Sequence, residues 1–108
     1  MADELPAARP NRPPTHPGAL LREEILPTIG VSVTEAAGHL RVTRQHLHRL
    51  LAEEVGISPE MAVRLGKFCG NGPRLWLRMQ ESFDLWHAEK KLGGIVEQIP
   101  DMGSKAAA

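Results

Sequence analysis

The chain has 108 residues, and its 13 lysines and arginines balance 13 aspartates and glutamates, so it suffices for one small domain and its total charge does not favour a polyanionic partner. A single cysteine, Cys69, excludes an internal disulfide and a thiolate metal cage and fits a reducing cytoplasm. No apolar run approaches the roughly 20 residues that cross a bilayer and no signal-peptide core is visible, so a soluble protein without membrane contact is expected.

Residues 1–17 carry Pro6, Pro10, Pro13, Pro14 and Pro17, which rule out a regular helix and predict a flexible, disordered arm. Residues 18–99 read as an all-α domain with no strand alternation, and residues 100–108 as a frayed tail. The first helix is expected from Gly18 to Leu26, with Leu21 and Ile25 on one face and Pro27 as its stop. The second is expected from Thr34, taken as N-cap, to Leu40, burying Ala36, Ala37 and Leu40. Thr43 caps a third helix that buries Leu47, Leu50 and Leu51. In "GISPEM", Ser58 caps and Pro59 takes the first position of a fourth helix, where a missing N–H costs nothing. Met61, Leu65, Phe68 and Cys69 form its stripe up to Gly70. "NGPR" opens a fifth helix running to about Leu92, ended by Gly93 and Gly94. "IVEQI" beyond it reads either as a short strand or as a packed tail.

The stretch "VTRQHLHRLL" is where charge concentrates. Between Val33 and Leu51 stand Arg41, Arg44 and Arg49 against Glu35 alone, with His39, His46 and His48 besides. A local basic face matters more to a phosphate backbone than the sum over the chain. At about 100° per residue, Leu47, Leu50 and Leu51 fall on one side of the helix, Gln45, His48 and Arg49 on the other, and Arg44 and His46 on the flanks. The gap to the preceding helix is too short for an antiparallel hairpin and suits a steep helix-turn-helix crossing. In that geometry the second helix offers its N-terminal side chains to the major groove. Arginine pairs bidentately with guanine and glutamine with adenine, which points to Arg44, Gln45 and Arg49 as base readers. Thr34 and Thr43, at helix N-termini, suit phosphate oxygens, and His46 and His48 suit phosphate or flanking contacts.

Four pieces in order, "HPGALLREEIL", "VTEAAGHLRVTRQHLHRLL", "GISPEMAVRLGKF" and "WLRMQESFDLW", resemble the HigA/VapI type of antitoxin among the XRE-like helix-turn-helix repressors. The resemblance spans His16 to Trp86. It implies a five-helix, lambda-repressor-like DNA-binding domain that forms a homodimer, binds palindromic double-stranded operator DNA in its own promoter, and neutralises a HigB-like mRNA endonuclease toxin by direct binding. Ala37 matches the small residue where the two helices touch, Leu47 the core residue of the recognition helix, and Arg44, Gln45 and Arg49 positions that face bases. One position departs: the turn glycine is Arg41 here, so either Arg41 is left-handed or the turn is distorted. A repressor without a toxin partner is the alternative reading.

On the last helix, Trp76, Met79, Phe83 and Trp86 join Leu75 as a core stripe, while Leu77, Leu85 and Leu92 form a second side assigned to the dimer interface. Such a dimer sets its recognition helices about 34 Å apart, one turn of DNA. Toxin contact is expected on the first helix, where Glu23 and Glu24 beside Leu20 and Leu21 offer acidic charge to a basic toxin, on the last helix, or on the proline-rich arm, which could fold on binding. The five histidines show no i, i+4 pair, so neither a metal nor another cofactor is expected. No enzyme motif is present.

Overall fold

A computed structural model describes residues 12–103; residues 1–11 and 104–108, and with them most of the expected arm and tail, lie outside the described part. Folding begins slightly before Gly18, because His16 and Pro17 are both buried. The His16 Nδ1 accepts the Gly18 N–H at 2.9 Å and so caps the first helix, with Pro17 at its first position.

That helix, α1, is one rod in three parts: an α-helical start, Pro17–Leu20, a π-helical turn, Leu21–Ile25, and an α-helical end, Leu26–Ile29. It does not stop at Pro27. In a regular helix the proline ring would collide with the Glu23 carbonyl. Here the turn just before it is widened, with the Leu26 N–H reaching back to the Leu21 carbonyl, and the rod continues until Gly30 takes φ 82°.

Helix α2, Val33–Leu40, starts two residues earlier than expected, since its cap is Ser32 rather than Thr34. The Ser32 Oγ accepts the Glu35 N–H at 3.1 Å while Glu35 Oε1 accepts the Ser32 N–H at 2.9 Å, a reciprocal capping box. Thr34 lies inside the helix with its side chain exposed. Helix α3, Arg44–Leu51, has its expected cap, Thr43, which accepts the His46 N–H at 3.0 Å. Helix α4, Pro59–Cys69, is capped by Ser58 and closed by left-handed Gly70, and α5, Pro73–Leu92, begins at its proline and ends at Gly93. "IVEQI" is neither strand nor packed tail: Ile95–Gln98 forms a one-turn helix, α6, whose residues are exposed. The described residues thus hold six helices and no strand.

The core gathers Leu21 and Leu26 from α1, Ala36, Ala37 and Leu40 from α2, the three leucines of α3, Met61, Ala62 and Leu65 from α4, and Trp76. Trp76 is fully buried and its indole N–H finds Asn71 Oδ1 at 3.0 Å. Met79, Phe83 and Trp86 are half-buried along the same stripe, but Leu75 does not join them and stands exposed. Two glycines permit close backbone approach. A Cβ on Gly18 would sit 1.9 Å from the Leu50 carbonyl oxygen, and one on Gly66 would sit 2.3 Å from the Gly72 carbonyl carbon. The first contact seats the start of α1 against the end of α3, and the second lets α5 turn back along α4. Beyond Trp86 every residue of α5 is exposed, and the molecule extends 56 Å along its long axis against 25 Å along its shortest.

Candidate nucleic-acid interface

The close crossing of α2 and α3 rests on small residues. Ala36 and Ala37 are buried where the two helices meet, and Leu47 is fully buried beneath them. The connecting turn is not distorted. Arg41 is left-handed, with φ 61° and ψ 40°, its N–H bonded to the Gly38 carbonyl at 3.3 Å, while Val42 N–H bonds Ala37 O at 3.1 Å. This is the hydrogen-bond pattern of a Schellman helix end, with arginine where glycine costs least. A residue with a Cβ in this region is disfavoured by roughly 1–2 kcal/mol.

Two arginines from outside the pair brace it. Arg64 of α4 gives its Nη1 to the carbonyls of Leu40 at 2.7 Å and Arg41 at 3.1 Å, closing the end of α2. Arg22 of α1 gives Nη1 to the Leu51 carbonyl at 2.6 Å, closing the end of α3. The two differ in charge balance. Arg22 is held between Glu53 Oε2 at 3.1 Å and Glu23 Oε2 at 2.8 Å, whereas among the described residues no carboxylate pairs with Arg64. Sequence reading missed both braces. They join positions 24 and 29 residues apart, and only the tertiary apposition reveals them.

On this frame α3 turns outward what it does not bury. Arg44, Gln45, His46, His48 and Arg49 are all exposed, as is Thr43, while Leu47, Leu50 and Leu51 are buried. Among the described residues, none of those five outward side chains is committed to a hydrogen bond or ion pair within the chain. Donors without an internal partner on a rigid rod are what base edges and phosphates require. Thr34 is exposed in the first turn of α2, although Ser32 holds the cap.

The other expected surfaces divide. Leu77, Leu85 and Leu92 are exposed, and Leu77 and Leu85 line a 520 Å³ groove with Ile57, Gln80 and Asp84. Ile95, Val96 and Ile99 are exposed too, but Gly93, with φ 52° and ψ −128°, breaks the helical register between them and Leu92. On α1, Glu23 and Glu24 are exposed and Leu20 is half-buried. Leu21 is fully buried in the core and offers no docking surface, a correction that follows from its place among the core leucines. Glu24 borders a 470 Å³ groove with Ile25, Thr28, Ile29, Phe68 and Cys69. Burial pushes the Cys69 thiol up, away from reactivity at neutral pH. Among the described residues no group of histidine, cysteine and carboxylate side chains could hold a metal ion, and no helix is long and apolar enough to cross a membrane.

No protein-family model matches the chain. It is 35% identical over 96 residues to virulence-associated protein I of Dichelobacter nodosus, spanning 89% of each chain. It is 30% identical over 80 residues to antitoxin HigA-1 of Vibrio cholerae, covering 74% of this chain and 75% of that one. Among solved structures, antitoxin GraA superposes with a TM-score of 0.78 at 35% identity, over 84% of this chain and 99% of its own. The Pseudomonas aeruginosa antitoxin HigA with the higBA promoter superposes with a TM-score of 0.76 at 31% identity, over 82% of this chain and 96% of its own.

Proposed function

Because this chain belongs to the HigA/VapI type of helix-turn-helix antitoxins, we propose that it represses its own operon as a dimer and neutralises a HigB-like ribonuclease encoded beside it. The observation that carries the DNA-binding half is the uncommitted row on α3: Arg44, Gln45 and Arg49 project from a helix whose opposite face is locked into the core. Arg44 and Gln45, in the first turn, meet base edges. Thr43, Thr34, His46 and His48 meet the backbone, and Arg49 reads or flanks the far side of the site. A mobility shift on the promoter fragment upstream of its reading frame tests this. Arg44→Ala with Gln45→Ala is expected to abolish the specific shift, because each side chain that pairs with a base supplies roughly 1–3 kcal/mol of discrimination. An unaltered shift would refute the assignment.

The dimer forms through the apolar side of α5, centred on Leu77 and Leu85 and continued by Leu92. The toxin docks on the outer face of α1 around Glu23, Glu24 and Leu20, whose acidic charge complements a basic ribonuclease. Support for this comes from the exposure of Glu24 beside an apolar groove. Co-expression with the neighbouring gene product, followed by co-purification, is expected to yield a complex that Glu24→Lys weakens. Failure of any neighbouring product to co-purify would leave an operator-binding repressor without a toxin. Both partners lie in the cytoplasm on this reading.

A further inference from the structure

Four cationic or titratable side chains from three elements converge on a hollow of 220 Å³ at the turn between α2 and α3. His39 comes from the end of α2, Arg41 from the turn itself, and Arg64 and Lys67 from successive turns of α4, with Leu40 and Phe68 forming the floor. Among the described residues no carboxylate lines this hollow or forms a salt bridge with Arg41, Arg64 or Lys67, while His39 has Glu35 one turn before it on α2. The end of a helix attracts positive charge, and that accounts for Arg64, whose Nη1 serves the carbonyls of Leu40 and Arg41. It accounts as well for His39 and Lys67, which stand in the last turns of α2 and α4, and leaves the guanidinium of Arg41 unexplained. Arg41 holds a left-handed conformation that a glycine would adopt more readily, so its side chain is kept against a conformational cost. The contrast with Arg22 is direct: that guanidinium does the same bracing for α3 and is neutralised by two glutamates.

The geometry points to a binding site for a phosphate of the DNA backbone, formed by Arg41 and Lys67 with Arg64 and His39 behind them, at the shoulder of the helix that enters the groove. This rests on the DNA-binding reading above. The hollow lies two residues before Thr43, at the N-terminal end of α3, and that end of a recognition helix approaches the duplex with the groove's phosphate wall beside it. His39, stacked on Phe68 with ring centroids 6.2 Å apart, stiffens the floor under the two long side chains. A phosphate here adds affinity for any duplex and no preference among sequences.

Arg41→Gly separates the two things Arg41 does, since it removes the guanidinium and relieves the backbone at once. Operator affinity is measured for the wild type, Arg41→Gly, Lys67→Gln and the double variant, between 50 and 200 mM salt, on the promoter duplex and on a scrambled duplex of equal length. The thermal midpoint of Arg41→Gly is expected to rise by about 4 °C or more. Its binding to both duplexes should nevertheless weaken by the same factor. The double variant's log–log salt slope should be shallower by about 0.9, so that its affinity loss across that salt range shrinks about 3.5-fold. Unchanged affinity and slope in a stabilised Arg41→Gly would overturn the site, and so would a loss confined to the promoter duplex. If the wild-type protein binds neither duplex, the DNA-binding reading itself falls and takes this corner with it.

Discussion

Protonating His16 removes the acceptor that holds a free N–H at the start of α1, because Nδ1 can receive the Gly18 proton only while it carries a lone pair. The side chain is buried against Phe83, at 4.8 Å between ring centroids. Burial lowers its pKa from the ordinary 6.5, opposed in part by Glu53, Asp84 and the Val55 backbone, with Arg22 adding slightly to the lowering. A histidine lowered in this way binds its proton more readily unfolded than folded. Stability is therefore complete above the unfolded value of about 6.5 and drains away as pH falls below it toward the folded value. Urea midpoints at pH 7.5 and 5.5 should differ for the wild type and differ less for His16→Asn, which can still cap but does not titrate. Equal pH slopes in the two proteins would count against it. Arg64 offers a second check at this scale. Arg64→Met strips two carbonyls of their donor beside a left-handed residue, and about 1–2 kcal/mol of stability should be lost.

At the scale of the element, Ser32 and Thr34 separate two accounts of where α2 begins. Ser32→Ala breaks the reciprocal box with Glu35 and should cost about 1 kcal/mol by chemical denaturation, whereas Thr34→Ala should stay within about 0.5 kcal/mol. The reverse order would restore Thr34 as the cap. The serine was legible, since Ser32 stands three residues before Glu35, the spacing of a capping box. Elsewhere the punctuation was plain: Thr43, the Ser58–Pro59 pair, Gly70, Pro73 and Gly93 each mark the end of the helix that they were expected to mark. Pro27 misled because the rule that proline ends a helix assumes regular α geometry, and a widened turn evades it. The outward row on α3 could be read from the sequence because it follows from periodicity alone. The braces by Arg22 and Arg64, the basic hollow and the burial of Leu21 could not, since each depends on which helix lies across from which.

For the whole molecule, Leu77, Leu85 and Leu92 leave one side of α5 apolar and open to water. In the dimer proposed above, two copies paired along this side cover it and double the reading head. Leu85, 55% exposed, can be changed without touching the core. Leu85→Asp is expected to halve the mass measured by light scattering and to weaken binding to a palindromic duplex far more than to a half-site. A dimer that persists in Leu85→Asp would move the interface elsewhere.

The packing of Gly18 against Leu50 leaves not even a methyl group's clearance between the rod that carries the acidic face and the rod that faces the double helix. On the docking surface proposed above, a protein gripping the outer side of α1 would sit on a rod that meets the last turn of α3 with no loop between them. By thermodynamic reciprocity, whatever such a grip does to the affinity for the duplex, the duplex does in equal measure to the grip.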